Sequence, residues 1–248
     1  MKKSIIGFAL LISLAASIGP NAYAQDKMTI FCGVTMRFAM VELTERFAET
    51  HKVTFEISNG GSGDLVRLIQ NSKTGDIFFP GAESFIDQLK KTGEVIETAV
   101  VGENKAALVV AKGNPRKVQG LKDLSNPGLN VILARAASGS IGKESEVILE
   151  NAGLLDDVLD NVLFFTTDSV DLVSAIISGK ADVTINWRAT AALKENRGHM
   201  DIINIPEAKA ERLVFGLLKY SKNARLARDF MAFATSPVGK EIFQRHGF

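Results

Sequence analysis

Cysteine is all but missing from this chain of 248 residues. Cys32 stands alone, so no intramolecular disulfide can form and a packed core must hold the fold together. Cys32 ends an apolar run and reads as a buried thiol; a redox or metal role would need a partner cysteine. Histidine is scarce as well: His51, His199 and His246 form no His-x-x-x-His pair for a metal. Gly60-Gly61-Ser62-Gly63 is not the Gly-x-Ser-x-Gly elbow of hydrolases. The run from Ala137 to Glu144 fails as a nucleotide phosphate loop, because Ala137 stands where its first glycine belongs and Glu144 where its Ser/Thr belongs. These gaps leave no catalytic constellation, no metal set and no cofactor motif, and the expectation is a protein that is not an enzyme.

Charge of one sign is also lacking. Lys and Arg number 29 against 28 Asp and Glu, a formal charge of +1. Such a balance leaves no electrostatic footprint for nucleic acid or an anionic membrane. Only one apolar run is long, from Ile5 to Ile18, and it falls short of the roughly 18–20 residues of a membrane span. With Lys2-Lys3 before it and Ala22-Tyr23-Ala24 after it, this run reads as a secretory signal peptide cleaved after Ala24. The mature chain would be exported to the periplasm, soluble and monomeric.

What remains alternates strand and helix. Strands are expected at 28–32, 53–57, 76–79, 106–111, 131–134, 162–165, 183–186 and 212–218. Helices are expected at 36–50, around Leu65, Leu68 and Ile69, at 85–91, 144–151 and 172–178, from Ala189, and at 226–234 and 237–245. In the helix at 36–50, Phe38, Val41, Leu43 and Phe47 mark the apolar rhythm. Alternation of this kind predicts an α/β protein with mainly parallel sheets, whose ligands sit beyond the carboxyl ends of the strands.

Four loops at those strand ends carry the same chemistry. They are Gly33-Val34-Thr35, Asn59 to Asp64, Ser138-Gly139-Ser140-Ile141-Gly142, and Thr166-Thr167-Asp168-Ser169. Each brings small hydroxyls and helix-start N–H groups, where the helix dipole favours negative charge. Any one of them could be ordinary capping, which favours Ser, Thr, Asp and Asn, and capping accounts for Asp64, Asp168 and Asp171. Four of them, divided between two βα runs, point to a cleft that holds a small anion. Arg37, Arg135 and Arg188 lie close in sequence to expected cleft loops, Arg188 directly after Trp187. A guanidinium turned inward would fork onto a carboxylate or phosphate.

Ser236-Pro237-Val238-Gly239-Lys240-Glu241-Ile242-Phe243-Gln244-Arg245-His246-Gly247-Phe248, close after Ala227-Arg228-Asp229-Phe230, resembles the ending of periplasmic solute-binding proteins of ABC importers. Lys112-Gly113-Asn114-Pro115 followed by Leu121-Lys122-Asp123-Leu124 is similar to that family's opening of the second lobe. Residues 53–64 and Gly75-Asp76-Ile77-Phe78-Phe79 resemble first-lobe loops of its molybdate-binding branch. The resemblance spans the mature chain. It implies a two-lobed type II periplasmic binding protein, each lobe a mainly parallel sheet flanked by helices, with a hinge between the lobes. Lobe I would be 25–105 plus 212–248, and lobe II 106–211.

The resemblance further implies a ligand set. Thr35, Gly61 and Ser62 would come from the first lobe. Ser138, Gly139, Ser140, Ile141, Ser169 and Val170 would come from the second, with Trp187 standing where the family has tyrosine and Arg188 beside it. Indole donates one hydrogen bond and accepts none, which departs from the family's phenol. The implied ligand is a tetrahedral oxyanion of molybdate or tungstate type; a small organic acid or a phosphorylated solute is the alternative. The implied partner is an ABC permease, or else the periplasmic domain of a sensor kinase or a chemoreceptor.

Overall fold

Alternation along the first strand builds two cores at once. In β1 (Asp26–Gly33), Met28, Ile30 and Cys32 face one side of the sheet and Phe31 the other. The computed structural model describes residues 26–248, so the leader and its cleavage after Ala24 lie outside the described residues. β2 (Val53–Gly60) and β3 (Ile77–Phe79) flank β1, both parallel to it. A 3-10 turn at Val34–Met36 leads into α1 (Arg37–Ala48), α2 (Ser62–Ser72) follows β2, and α3 (Glu83–Lys91) follows β3.

β4 (Val95–Ala111) then runs from one half of the molecule into the other. Its first part pairs antiparallel with β9 (Ala210–Leu218), and Ala106 to Ala111 pair with β7 (Val183–Trp187) and β8 (Met200–Asn204). Beyond β7 lie β5 (Val131–Ala134) and β6 (Val162–Thr166), giving the order β2-β1-β3-β9-β4-β7-β5-β6. β5 is parallel to both β6 and β7. Parallel pairing thus holds where strands end at the expected loops, and the antiparallel pairs come from the strands that cross between the halves.

The second half adds α4 (Ser140–Asn151), α5 (Leu155–Leu159), α6 (Ser169–Ile177) and α7 (Arg188–Ala192). One core cluster, with Ile132, Ile141, Leu149, Val183, Ile185 and Trp187, fills it. α8 (Ala224–Thr235) and α9 (Pro237–Arg245) return to the first half. There Phe230 and Phe243 join Phe47, Phe79 and Phe215, with the Phe79 and Phe215 rings stacked at 4.1 Å. Truncating one such buried ring to alanine costs about 3–5 kcal/mol. Pro237 starts α9 behind a Ser236 side-chain cap, since the first helical position needs no N–H.

Three expectations shift. The strand at 106–111 is the tail of a much longer one, because residues 95–105 mix charged and apolar positions without a two-residue period. β8 and the short α5 were not expected at all. α1 buries Ala39, Met40, Leu43 and Phe47 and leaves Phe38 and Val41 exposed, and α2 leaves Leu68 exposed. Small Ala39 lets the helix lie close to the sheet, which rotates the buried stripe away from the bulkier neighbours.

Candidate functional site

Ser62, Ser140 and Ser169 share one local position: each is the first residue of its helix, behind Gly61, Gly139 and Asp168 respectively. None of the three hydroxyls accepts from the first turn of its own helix; their partners are Gly81, Trp187 and Thr35. Gly61 and Gly139 supply no side-chain cap, and neither does Gly33 before the turn that carries Thr35. The capping explanation therefore fails for Ser62, Ser140 and Ser169. It holds for Asp168, whose Oδ1 accepts the N–H groups of Val170 at 2.8 Å and Asp171 at 3.2 Å.

These helix starts converge on one small cavity where the two halves meet. Thr35, Gly61, Ser62, Gly139, Ser140, Ile141, Ser169 and Trp187 line it, together with Gly33, Val34, Gly60, Gly81 and Asp168. It is small, with room for a single water-sized group as the halves now stand. The hydroxyls are buried and bonded. Thr35 Oγ1 and Ser169 Oγ meet at 2.8 Å, Gly81 N–H donates to Ser62 Oγ at 3.0 Å, and Trp187 Nε1–H donates to Ser140 Oγ at 3.2 Å. Asn186 braces this wall from behind, donating Nδ2–H to the Ser169 carbonyl and accepting the Trp187 main-chain N–H.

Main-chain atoms fasten the halves beside the cavity. The N–H groups of Gly63 and Asp64, in the first turn of α2, donate to the Ser138 carbonyl at 2.9 and 3.3 Å. Arg67 adds a bond to the Ala137 carbonyl at 3.0 Å. Glycine is required here for space: a Cβ on Gly61 would sit 2.3 Å from the Ser138 oxygen, and one on Gly63 2.3 Å from the Ala137 oxygen.

Three residues of the implied ligand set stand outside the cavity. Ser138 gives its carbonyl to α2 instead. The Val170 N–H is taken by Asp168, which removes it as a donor. Arg188 is exposed and its guanidinium bonds Asn204. The other two arginines turn away as well, Arg37 onto the Val34 carbonyl and the Phe38 ring, Arg135 onto the Phe165 ring. Among the described residues, no Lys, Arg or His lines the cavity. His51 stacks on Phe47 and His246 pairs with Glu42. Burial pushes the Cys32 thiol far up, so it stays protonated, as the buried-thiol reading expects.

Gly81 and Asp168 complete the site although neither was expected as a contact. Asp168 was legible as a cap. Gly81 had only a weak signal, a glycine just past the carboxyl end of the strand Ile77–Phe79. The result is a wall of hydroxyl and main-chain groups at the starts of α2, α4 and α6, whose dipoles favour an anion, with the Asp168 carboxylate engaged by the N–H groups of Val170 and Asp171.

Other proteins share this architecture. The molybdate-binding protein ModA of Mycobacterium tuberculosis (strain ATCC 25618 / H37Rv) is 26% identical over 234 residues, covering 93% of this chain and 87% of its own length. The sulfate-binding protein SubI of Mycobacterium tuberculosis H37Rv has the same fold at a TM-score of 0.79, with 18% identity over 90% of this chain and 86% of SubI. The periplasmic molybdate-binding protein of Azotobacter vinelandii matches at a TM-score of 0.74 and 17% identity, covering 89% of this chain and 97% of its own. The sequence profile of bacterial extracellular solute-binding proteins matches residues 28–248, and the chain belongs to that family.

Proposed function

We propose that this protein captures a small tetrahedral oxyanion of molybdate or tungstate type in the cleft and delivers it to an ABC import permease. The observation that carries the reading is a cavity between two halves lined by hydroxyls and helix-start N–H groups, with no basic side chain. A compact dianion can be held by neutral donors and helix dipoles alone. The arginines able to fork onto a carboxylate or phosphate ester point elsewhere. The relatives named for molybdate and sulfate binding support the same class of ligand.

In this reading 25–105 with 212–248 forms one lobe and 106–211 the other, and β4 and β9 flex as the hinge between them. Thr35 and Ser62 approach the anion from the first lobe, Ser140, Ile141 and Ser169 from the second. The leader is removed after Ala24 and the mature chain works in the periplasm.

Calorimetry with molybdate, tungstate, sulfate, phosphate and a panel of small carboxylates and phosphate esters tests it. Saturable binding of molybdate or tungstate, tighter than any organic acid, is the expected outcome. Binding confined to carboxylates or phosphate esters would overturn the reading. Pull-down by a sensor-kinase periplasmic domain, with no stimulation of a permease, would overturn the transport partner alone.

A further inference from the structure

We propose that Trp187 is a positioning residue: its indole N–H fixes and polarises the Ser140 hydroxyl so that Ser140 serves the site as a hydrogen-bond donor. The proposal rests on the oxyanion reading above and concerns how this chain does without the phenol implied at that place.

Trp187 ends β7, is wholly buried, and lies in the wall of the cavity. An indole nitrogen only donates, so the 3.2 Å contact has a single polarity: Nε1–H gives and Ser140 Oγ accepts. One lone pair of the hydroxyl is thereby engaged, and its own hydrogen remains to be given. A hydroxyl that accepts one hydrogen bond donates a stronger one, by about 10–30% in condensed phase. The indole thus strengthens a donor without touching the anion.

Packing fixes this arrangement. Ser140 Oγ is pressed against the main chain of Gly81, where a Cβ would come within 2.3 Å of Oγ and 3.7 Å of Trp187 Nε1. Gly81 N–H in turn donates to Ser62 Oγ at 3.0 Å. Serines from the two halves therefore share one logic, each accepting from a protein N–H. Each hydroxyl, accepting on one side, keeps its own hydrogen to donate into the cavity, which an oxyanion without protons requires.

Trp187 is the sole tryptophan of the chain. Growth of a tryptophan auxotroph on 3-benzothienylalanine, which has sulfur in place of the indole N–H, therefore alters this side chain and no other. Molybdate affinity is then measured for the natural protein, the labelled protein, Ser140→Ala, and the two changes combined. The labelled protein should bind about three- to tenfold more weakly, a coupling of the size found for contacting residues. Ser140→Ala in the labelled background should cost less than in the natural protein, by that same roughly three- to tenfold factor.

Unchanged affinity in the labelled protein, or losses that simply multiply, would overturn the proposal. If the natural protein binds no oxyanion, the functional reading fails first and the proposal falls with it. Should the labelled protein not fold, the single indole N–H resonance decides. It should move upfield in Ser140→Ala, and an unmoved resonance would overturn the proposal.

Discussion

Thr35 Oγ1 and Ser169 Oγ stand 2.8 Å apart, although 134 residues separate them in the chain. One hydroxyl comes from the turn after β1, the other from the first residue of α6, so the contact closes the cavity from both halves. In the proposed oxyanion complex both oxygens would turn toward the ligand. Thr35→Val keeps the shape and removes the oxygen. It should weaken molybdate binding by about 1.5–3 kcal/mol, the range for hydrogen bonds to charged groups. Calorimetry that finds the affinity unchanged would remove Thr35 from the site.

Ser62 sits behind Gly61 and does not cap α2, so the usual loss for a missing cap does not apply. Ser62→Ala should lower affinity by a similar 1.5–3 kcal/mol. It should also reduce stability by about 1–3 kcal/mol, because the buried Gly81 N–H loses its acceptor. Both quantities are measured on one preparation. A lowered melting temperature with intact affinity would show Ser62 to be a brace for Gly81 only.

Gly63→Ala tests whether the halves must meet. The added Cβ would fall 2.3 Å from the Ala137 oxygen and 3.2 Å from the Ser138 oxygen, both main-chain atoms that cannot step aside. Within α2 itself alanine is favoured over glycine by roughly 0.5–1 kcal/mol, so the variant should fold at least as well. Scattering should then show no contraction at saturating molybdate, with affinity reduced at least about tenfold (roughly 1.4 kcal/mol). Wild-type contraction in the variant would refute the main-chain seam.

Glu144 on α4 gives a pH dependence with a definite sign. Burial raises its pKa from the ordinary 4.5 to about 7, the nearby Glu211 carboxylate adds to the rise, and Lys209 opposes it. Glu211 is itself raised, chiefly by burial, with Glu83 among its neighbours. A carboxyl with a raised folded-state pKa contributes stability that is full below its unfolded value and is lost as pH climbs through the folded one. That window runs from 4.5 to about 7. Glu144→Gln should therefore be more stable than wild type at pH 8, by about 1–2 kcal/mol after allowance for solvent screening of a half-buried group. The gap should nearly close at pH 4.5. Urea unfolding at the two pH values checks it, and a constant gap would contradict the assignment.

Much of this molecule can be read from its sequence because many of its strands are short apolar runs bounded by small or polar residues. β1, β3, β5 and β7 are of this kind, and the site loops follow from where they stop. β4 hides because a strand crossing between halves is only partly covered, so its exposed charges break the period. The donor wall was half visible. Ser62 and Ser140 advertise themselves by composition, whereas their bonding partners, Gly81 and Trp187, lie 19 and 47 residues away. The arginines misled for a related reason. Proximity in sequence brought Arg37, Arg135 and Arg188 to the loops, but each found a local carbonyl, ring or amide to hold it outward.

The clasp between the halves has a consequence for descent. It is written in main-chain N–H and C=O groups, those of Gly63, Asp64 and Ser138, which any amino acid but proline can supply at the donor positions. Lineages can therefore exchange the side chains at 64 and 138 and inherit the clasp intact, provided glycine stays at 61 and 63 where space forbids a Cβ. In the proposed reading, the choice of ligand rests instead on Thr35, Ser62, Ser140, Ser169 and Trp187. A chain built this way can change what it carries without relearning how to close.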